Sequence, residues 1–481
     1  MSDGPATTPA DGAERPQRRR AIPKPPNYAA RRMLVGTGIV TLLFAAAVVG
    51  WRWFGGGDST NDRDRVGWST IAVVDRTTGD VTYLDADGEV VGESLDHGRT
   101  GAIHAYDGTV SLTNSRTLTV VPPPGSDAEP LVVELPDRAQ VTPVRTGDGT
   151  FLATGEPTGG DVSLVDVSAA TVVDIGDLAI ANSPVDPTMF VATMRWNDDG
   201  SLFAIADAAN FQTIVVRPGD PEPIFLADQP IAVGDDLIAT SQTVGLQADV
   251  SLMGLDRTAQ ATVPTEIPAG SIGVLRDDRL TMVAVDGGVY RIESGADAAE
   301  RIGAVAVPAG AAIEWVAPIA GGDRLVVGGA TFEVVVDLDG RTLFTTTFAT
   351  AVDPTPPDPL WTCLPVGGSD GYHSIVDVES GEQLADLSGV EAIEGVAADG
   401  CSVLASIAGE AVVIGPEGTA TIGAYDRAVL GPDGVSVVLV TEDGTVELLV
   451  VDVVDDELVV GDPVDLSSLS EPDDLIAFVP D

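Results

Sequence analysis

The sequence predicts an all-β chain of repeated four-stranded units, closed into one large ring and preceded by a single membrane-spanning helix. Three observations carry that prediction. The first is texture: from Ser69 to Asp481, short runs rich in Val, Ile, Leu and Thr alternate with Asp-Gly, Gly-Asp and Gly-Gly pairs, and no stretch sustains a helical period of apolar residues. The second is a recurrence of this texture every 37 to 44 residues. The third is one uncharged run, MLVGTGIVTLLFAAAVVGW from Met33 to Trp51, whose 19 residues match the length that crosses a hydrocarbon core of roughly 30 Å.

Composition narrows the classes further. The 481 residues are 44% hydrophobic and 5% aromatic. That much Val, Ile and Leu excludes disorder throughout the chain. Against 74 Asp and Glu stand only 25 Lys and Arg, for a net charge of −49. Lys24 is the sole lysine. Nucleic acid is therefore excluded as a partner, because phosphate neutralisation requires clustered basic side chains. Most of the chain is repelled from an anionic membrane surface for the same reason.

The few basic residues are unevenly placed. Residues 1–32 carry Arg15, Arg18, Arg19, Arg20, Lys24, Arg31 and Arg32 against Asp3, Asp11 and Glu14. Basic flanks are retained in the cytoplasm, so these residues stay inside as a Pro-, Ala- and Arg-rich disordered tail. A docking role for Pro23-Lys24-Pro25-Pro26 in an extended polyproline conformation is the sharper reading of the same segment. Residues 33–54 follow as a signal-anchor helix, with Trp51 and Trp53 at the interface and Arg52 able to snorkel between them. A cleaved signal peptide is the competing reading, with Ala45-Ala46-Ala47 as its site. The long charged flank, the apolar run beyond those alanines and a poor twin-arginine match at Arg31-Arg32 favour the anchor. Residues 55–68, opening on Gly55-Gly56-Gly57, form a flexible polar linker. Residues 69–481 are then extracytoplasmic.

Within 69–481 the period is measured at the acidic or turn residue that closes each third run: Asp256, Glu293, Asp337, Asp377, Gly415 and Asp452. That spacing is one four-stranded β-propeller blade. Individual units show all four runs, as AIEGVAADG, CSVLASIAG, EAVVIGPEG and TATIGAY do from Ala392 to Tyr425. Residues 270–305 form another such unit. At roughly 40 residues per blade the region suggests 8–10 blades, with about ten from division alone. The apolar run from Leu475 to Val479 would be an unpaired strand and a liability. Docking it as the innermost strand of the blade that begins near Ser69 closes the ring. The Pro-rich connector from Asp353 to Pro359 could separate two domains, but the residues after it make only about three blades, so one ring is preferred.

Two hairpins carry a family resemblance. IAVVDRTTGDV from Ile71 to Val81 and SIVDVESGEQL from Ser374 to Leu384 resemble the strand–Asp–x–x–Thr/Ser–Gly–strand hairpin of quinoprotein-like and YVTN-type β-propeller repeats, and DVSLVDVSAATVV from Asp161 to Val173 is a weaker copy. The resemblance implies the propeller fold and carries over no active site.

Cys363 and Cys401 fall at equivalent places in adjacent units. In an oxidising compartment this even pair is expected to form a disulfide closing a loop worth about 3–4 kcal/mol in the chain-entropy model. His97, His104 and His373 are widely separated and show no metal-ligand spacing. Asp85-Ala86-Asp87-Gly88-Glu89 and Asp337-Leu338-Asp339-Gly340 have the alternating carboxylates of a calcium loop but lack its later ligands, and Asp-Gly turns account for them. No nucleophile elbow or phosphate-cradling glycine loop is present. No catalytic, cofactor or metal residue is assigned. The expected function is a membrane-anchored extracytoplasmic binding or scaffold module of a prokaryotic cell envelope, with a protein or envelope component as partner and no cofactor. A propeller enzyme, a quinone-dependent dehydrogenase or lactonase, is the alternative. The acidity supports solubility or adaptation to saline surroundings.

Overall fold

Alternation of apolar and polar residues, broken every few positions by a turn residue, produces short strands that pair antiparallel with their chain neighbours. The computed structural model describes residues 67–480 except 107, 136–138, 148, 156–159, 179–193, 208–211, 219, 221–222, 245–246, 258, 264–266, 268–271, 277, 310, 348–356, 369–370, 455–456, 468–469 and 472. The expected tail at 1–32, the signal-anchor helix at 33–54 and nearly all of the linker at 55–68 lie outside them. No helix among the described residues is long and apolar enough to cross a membrane.

Ten sheets succeed one another along the chain, and together they form one β-propeller. Here they are called blades 1 to 10. Blades 2 to 7 open on the strands Ala102–Tyr106, Gln140–Thr146, Met194–Trp196, Gln229–Val233, Ile272–Arg276 and Trp315–Ile319. Blades 9 and 10 open on Ala392–Val396 and Arg427–Leu430. Three strands of blade 8 are described, Cys363–Gly368, Gly371–Asp377 and Gln383–Asp386. The period residues of the sequence explain their place. Glu293, Asp337 and Gly415 each end the third strand of their blade, and Asp377 ends Gly371–Asp377. The three are thus the second to fourth strands of blade 8.

Opposite faces of each strand feed different seams between blades. In blade 7, Phe332, Val334 and Val336 pack with Val283 and Val289 of blade 6. Val335 alternates to the other face and packs with Leu364, Val366 and Val376 of blade 8. Both faces of a middle strand are therefore covered, which explains near-continuous valine runs where a half-solvated sheet would alternate. Each enclosed Val or Leu contributes about 1.5–3 kcal/mol relative to exposure.

Closure follows the sequence expectation. The strand Leu475–Pro480 pairs antiparallel with Trp68–Val74, placing Ile71 opposite Phe478 and Val73 opposite Ile476. It is the inner strand of blade 1, whose order continues outward through Val81–Leu84 to Val90–Ser94. Trp68, assigned to the linker on sequence grounds, instead opens the first strand of the chain. Its ring meets Phe478 edge-on at 5.0 Å, and its Nε1 donates to Asp433 Oδ2 and Ser436 Oγ of blade 10, each at 3.0 Å.

The repeat hairpins have a simple physical basis. Asp75 Oδ1 accepts from the amides of Thr77 at 2.6 Å and Thr78 at 3.2 Å, and Gly79 completes the turn at φ +72°. Asp377 makes the same contacts with the amides of Glu379 and Ser380. The acidic clusters are turns of this kind too. Asp85 Oδ1 accepts from the amides of Asp87 and Glu89, and Asp337 Oδ1 from those of Asp339 and Arg341.

Candidate functional site at the channel mouth

Neighbouring inner strands lie against one another around the centre of the ring, so their side chains set the chemistry of the channel. In a chain with three times as many acids as bases, these strands reverse the balance. Among the described residues they carry Arg145, Arg195, Arg276 and Arg427, with Glu394 as their one carboxylate.

Local alternation positions each arginine. Val144 is buried in the seam between blades 3 and 4, so Arg145 takes the opposite face, toward blade 2. There its guanidinium carbon lies 5.7 Å from the centre of the Tyr106 ring, a cation–π geometry. Its Nη1 donates to Asp358 Oδ2 at 3.2 Å. Trp196 Nε1 of blade 4 donates to the Arg145 carbonyl at 3.0 Å. Leu275 is likewise packed into the seam between blades 5 and 6, which turns Arg276 toward Asp323 of blade 7 at 3.9 Å and into an ion pair with Asp198 of blade 4.

These contacts gather residues from blades 2, 3, 4, 6 and 7, and from the segment entering blade 8, at one mouth of the channel. Residues 357–362 are fixed there by backbone bonds, with the Gly321 amide donating to Pro359 O, the Ala320 amide to Trp361 O, and the Thr362 amide to Asp399 O. Burial pushes the Tyr106 hydroxyl up to about 12, with Arg145 opposing the shift and Asp358 adding to it. Burial also lowers Arg195 to about 10. The Arg145 and Arg276 side chains keep 25% and 26% of their exposure. Each guanidinium has five donors in a fixed fork, so an incoming carboxylate or carbonyl finds geometry already set.

The residues singled out from sequence behave differently. Cys363 and Cys401 form a disulfide with Cα atoms 4.8 Å apart. Each introduces the second strand of its blade, as their equivalent sequence positions imply. The Thr362 and Cys363 amides both donate to Asp399 O, which holds the two blades together beside the bridge. His97 bonds Ser94 Oγ at 2.8 Å through Nε2, His104 stacks on Tyr106 at 6.1 Å, and His373 belongs to blade 8. Burial lowers the first two below the usual histidine range. Among the described residues no three His, Cys, Asp or Glu side chains group to hold a metal. The mouth arginines were not singled out from sequence. Their signal was an arginine at or near the end of a blade's first run in a chain where acids outnumber bases 74 to 25.

No family model matches the chain, and no curated protein matches it. Among solved structures, it is similar to a eukaryotic initiation factor with 9% identity and a TM-score of 0.42, covering 85% of this chain and 98% of that one. For BamB from Moraxella catarrhalis the identity is 15% and the TM-score 0.35, over 64% of this chain and 95% of that one. For the C-terminal WD40 domain of Sif2 they are 12% and 0.36, over 71% and 94%. The assignment of this chain as a ten-bladed β-propeller rests on its own strand order and closure.

Proposed function

We propose that this protein is a membrane-anchored, extracytoplasmic binding module of a prokaryotic envelope, and that the arginine-lined mouth of its propeller is the recognition face. The observation that carries the reading is the charge reversal on the inner strands. A chain selected only for acidity and solubility has no reason to place Arg145 and Arg276 together at one mouth of its inner ring, with Arg195 deeper in the ring and Arg427 at its opposite end. Guanidinium groups held by neighbouring carboxylates suit a protein partner, whose acidic side chains and carbonyls accept from them. The anchor and orientation are carried by the apolar run at 33–51 and its basic flank.

The test uses full-length tagged protein and the R145A/R276A double variant, each captured from native membranes with the bound proteins identified by mass spectrometry. Partners retained by the native chain and lost from a variant with an unchanged melting profile support the reading. An identical set from both would move recognition away from the mouth. Externally added protease that removes the propeller while sparing residues 1–32 checks the orientation.

A further inference from the structure

We propose that the seam between blades 7 and 8 holds a binding site for a monoalkylammonium group, built from Glu333, Trp315 and the glycine between them. The site lies apart from the channel mouth, and the proposal does not depend on how the mouth functions.

The register defines it. Trp315 stands opposite Gly328, Gly328 opposite Glu333, and Glu333 opposite Thr346, so the four form one row across blade 7. Directly opposed residues project to the same face. That face is the one carrying Val326 and Val335, which pack onto Leu364, Val366 and Val376 of blade 8. Gly328 is what lets the row form: a Cβ there would collide with the indole ring of Trp315. The indole therefore lies across the strand beside Glu333.

Two polar atoms in this row are unsatisfied. Glu333 Oε2 and Trp315 Nε1 are both buried and neither has a hydrogen-bond partner. Leaving such an atom unpaired is unfavourable, and more so for a charged group. Burial alone pushes the Glu333 carboxyl up to about 8, with no neighbouring charge or hydrogen bond offsetting it. Among the described charged residues on and beside this face, Arg324 and Asp337 share it but lie two rows away, roughly 13 Å along the strands at about 3.3 Å per residue. Glu314 alternates to the other face. From blade 8, Val366 and the buried Ser374 face the row, while Asp386 at the outer end of the Ser374 row is exposed and bonded to Ser388. A carboxylate with an aromatic wall and, among the described residues, no cation paired with it is the chemistry that recognises an organic ammonium. Trp315, Glu333 and Thr346 each retain part of their exposure, so the row can be reached. The net charge of −49 concentrates cations around the molecule.

Binding of an ammonium to the protonated carboxyl moves the Glu333 proton to the buffer. Proton release that depends on Glu333 separates this site from diffuse association of cations with the acidic surface. The experiment is calorimetric titration of the full-length protein at pH 7 and 0.15 M NaCl with n-butylammonium, in two buffers of different ionisation enthalpy. Tetramethylammonium, which lacks N–H donors, and an Nα-acetyl-lysine amide run in parallel to distinguish a free amine from a lysine side chain. The expected result is saturable binding of n-butylammonium or the lysine amide with release of close to one proton, weaker binding of tetramethylammonium, and loss of the proton release in E333Q. W315F should weaken binding several-fold. With the native chain alone, affinity should rise about tenfold per unit between pH 6 and 7 and level off above pH 8. Binding without proton release, release that persists in E333Q, or no amine binding because a structural water satisfies both atoms would each overturn the proposal.

Discussion

At the scale of single residues, Glu333 makes stability depend on pH. Its folded value near 8 lies above the ordinary 4.5, so between those values the folded protein binds more protons than the unfolded chain. Stability then falls as pH rises through that window, by up to about 1.4 kcal/mol per pH unit at one proton. Asp75, Asp386, Asp443 and Asp465 act in the opposite direction. Amides and hydroxyls of their own turns hold them below 3.8, and this contribution is lost as pH falls through their folded values. Denaturant midpoints measured from pH 3 to 9 are expected to peak near pH 5, and E333Q should flatten the alkaline limb. Gly400 gives a second residue-scale test. At φ +78°, with the Cys363 carbonyl where a Cβ would sit, G400A should lose about 1–3 kcal/mol in thermal unfolding. Little of this was legible beforehand. In FEVVVD the glutamate occupies a position that alternation leaves open to solvent, and only the blade beyond it buries the carboxyl. The mouth arginines were hidden for a related reason, since their partners lie up to 213 residues away.

At the scale of elements, the strand cadence, the third-strand period and the closing strand could all be read directly. Each is a local pattern that the ring repeats without altering it. Asp-Gly and Gly-Asp pairs fixed the turns because their side chains and left-handed backbone satisfy them without outside help. The disulfide was legible because the period placed both cysteines at the start of a second strand. Reducing the Cys363–Cys401 bridge, or replacing both residues with serine, should cost about 3–4 kcal/mol for its separation of 38 residues. Calorimetry with and without reductant reads this out. Deleting residues 475–481 leaves the inner edge of Trp68–Val74 unpaired, with Ile71 and Val73 losing Ile476 and Phe478. Size exclusion should then show association, and unfolding should lose its single sharp transition.

At the scale of the whole molecule, charge and topology dominate. The large negative charge repels itself across a compact ring, and salt screens that repulsion within a Debye length of about 10 Å at 0.1 M. Melting temperature is expected to rise by a few degrees between 10 mM and 0.5 M NaCl, and a flat profile would mean the carboxylates are too dispersed to matter. The pairing of Trp68–Val74 with Leu475–Pro480 has a further consequence, this time for biosynthesis. At about 5–20 residues per second of translation, the first strand waits on the order of 20–80 s for the partner that covers it. During that interval a nascent chain exposes an adhesive edge whose native partner has not yet been made. A holding chaperone that recognises extended apolar backbone is therefore expected to crosslink to the segment around Ile71 in stalled chains, and to release it once Phe478 has emerged.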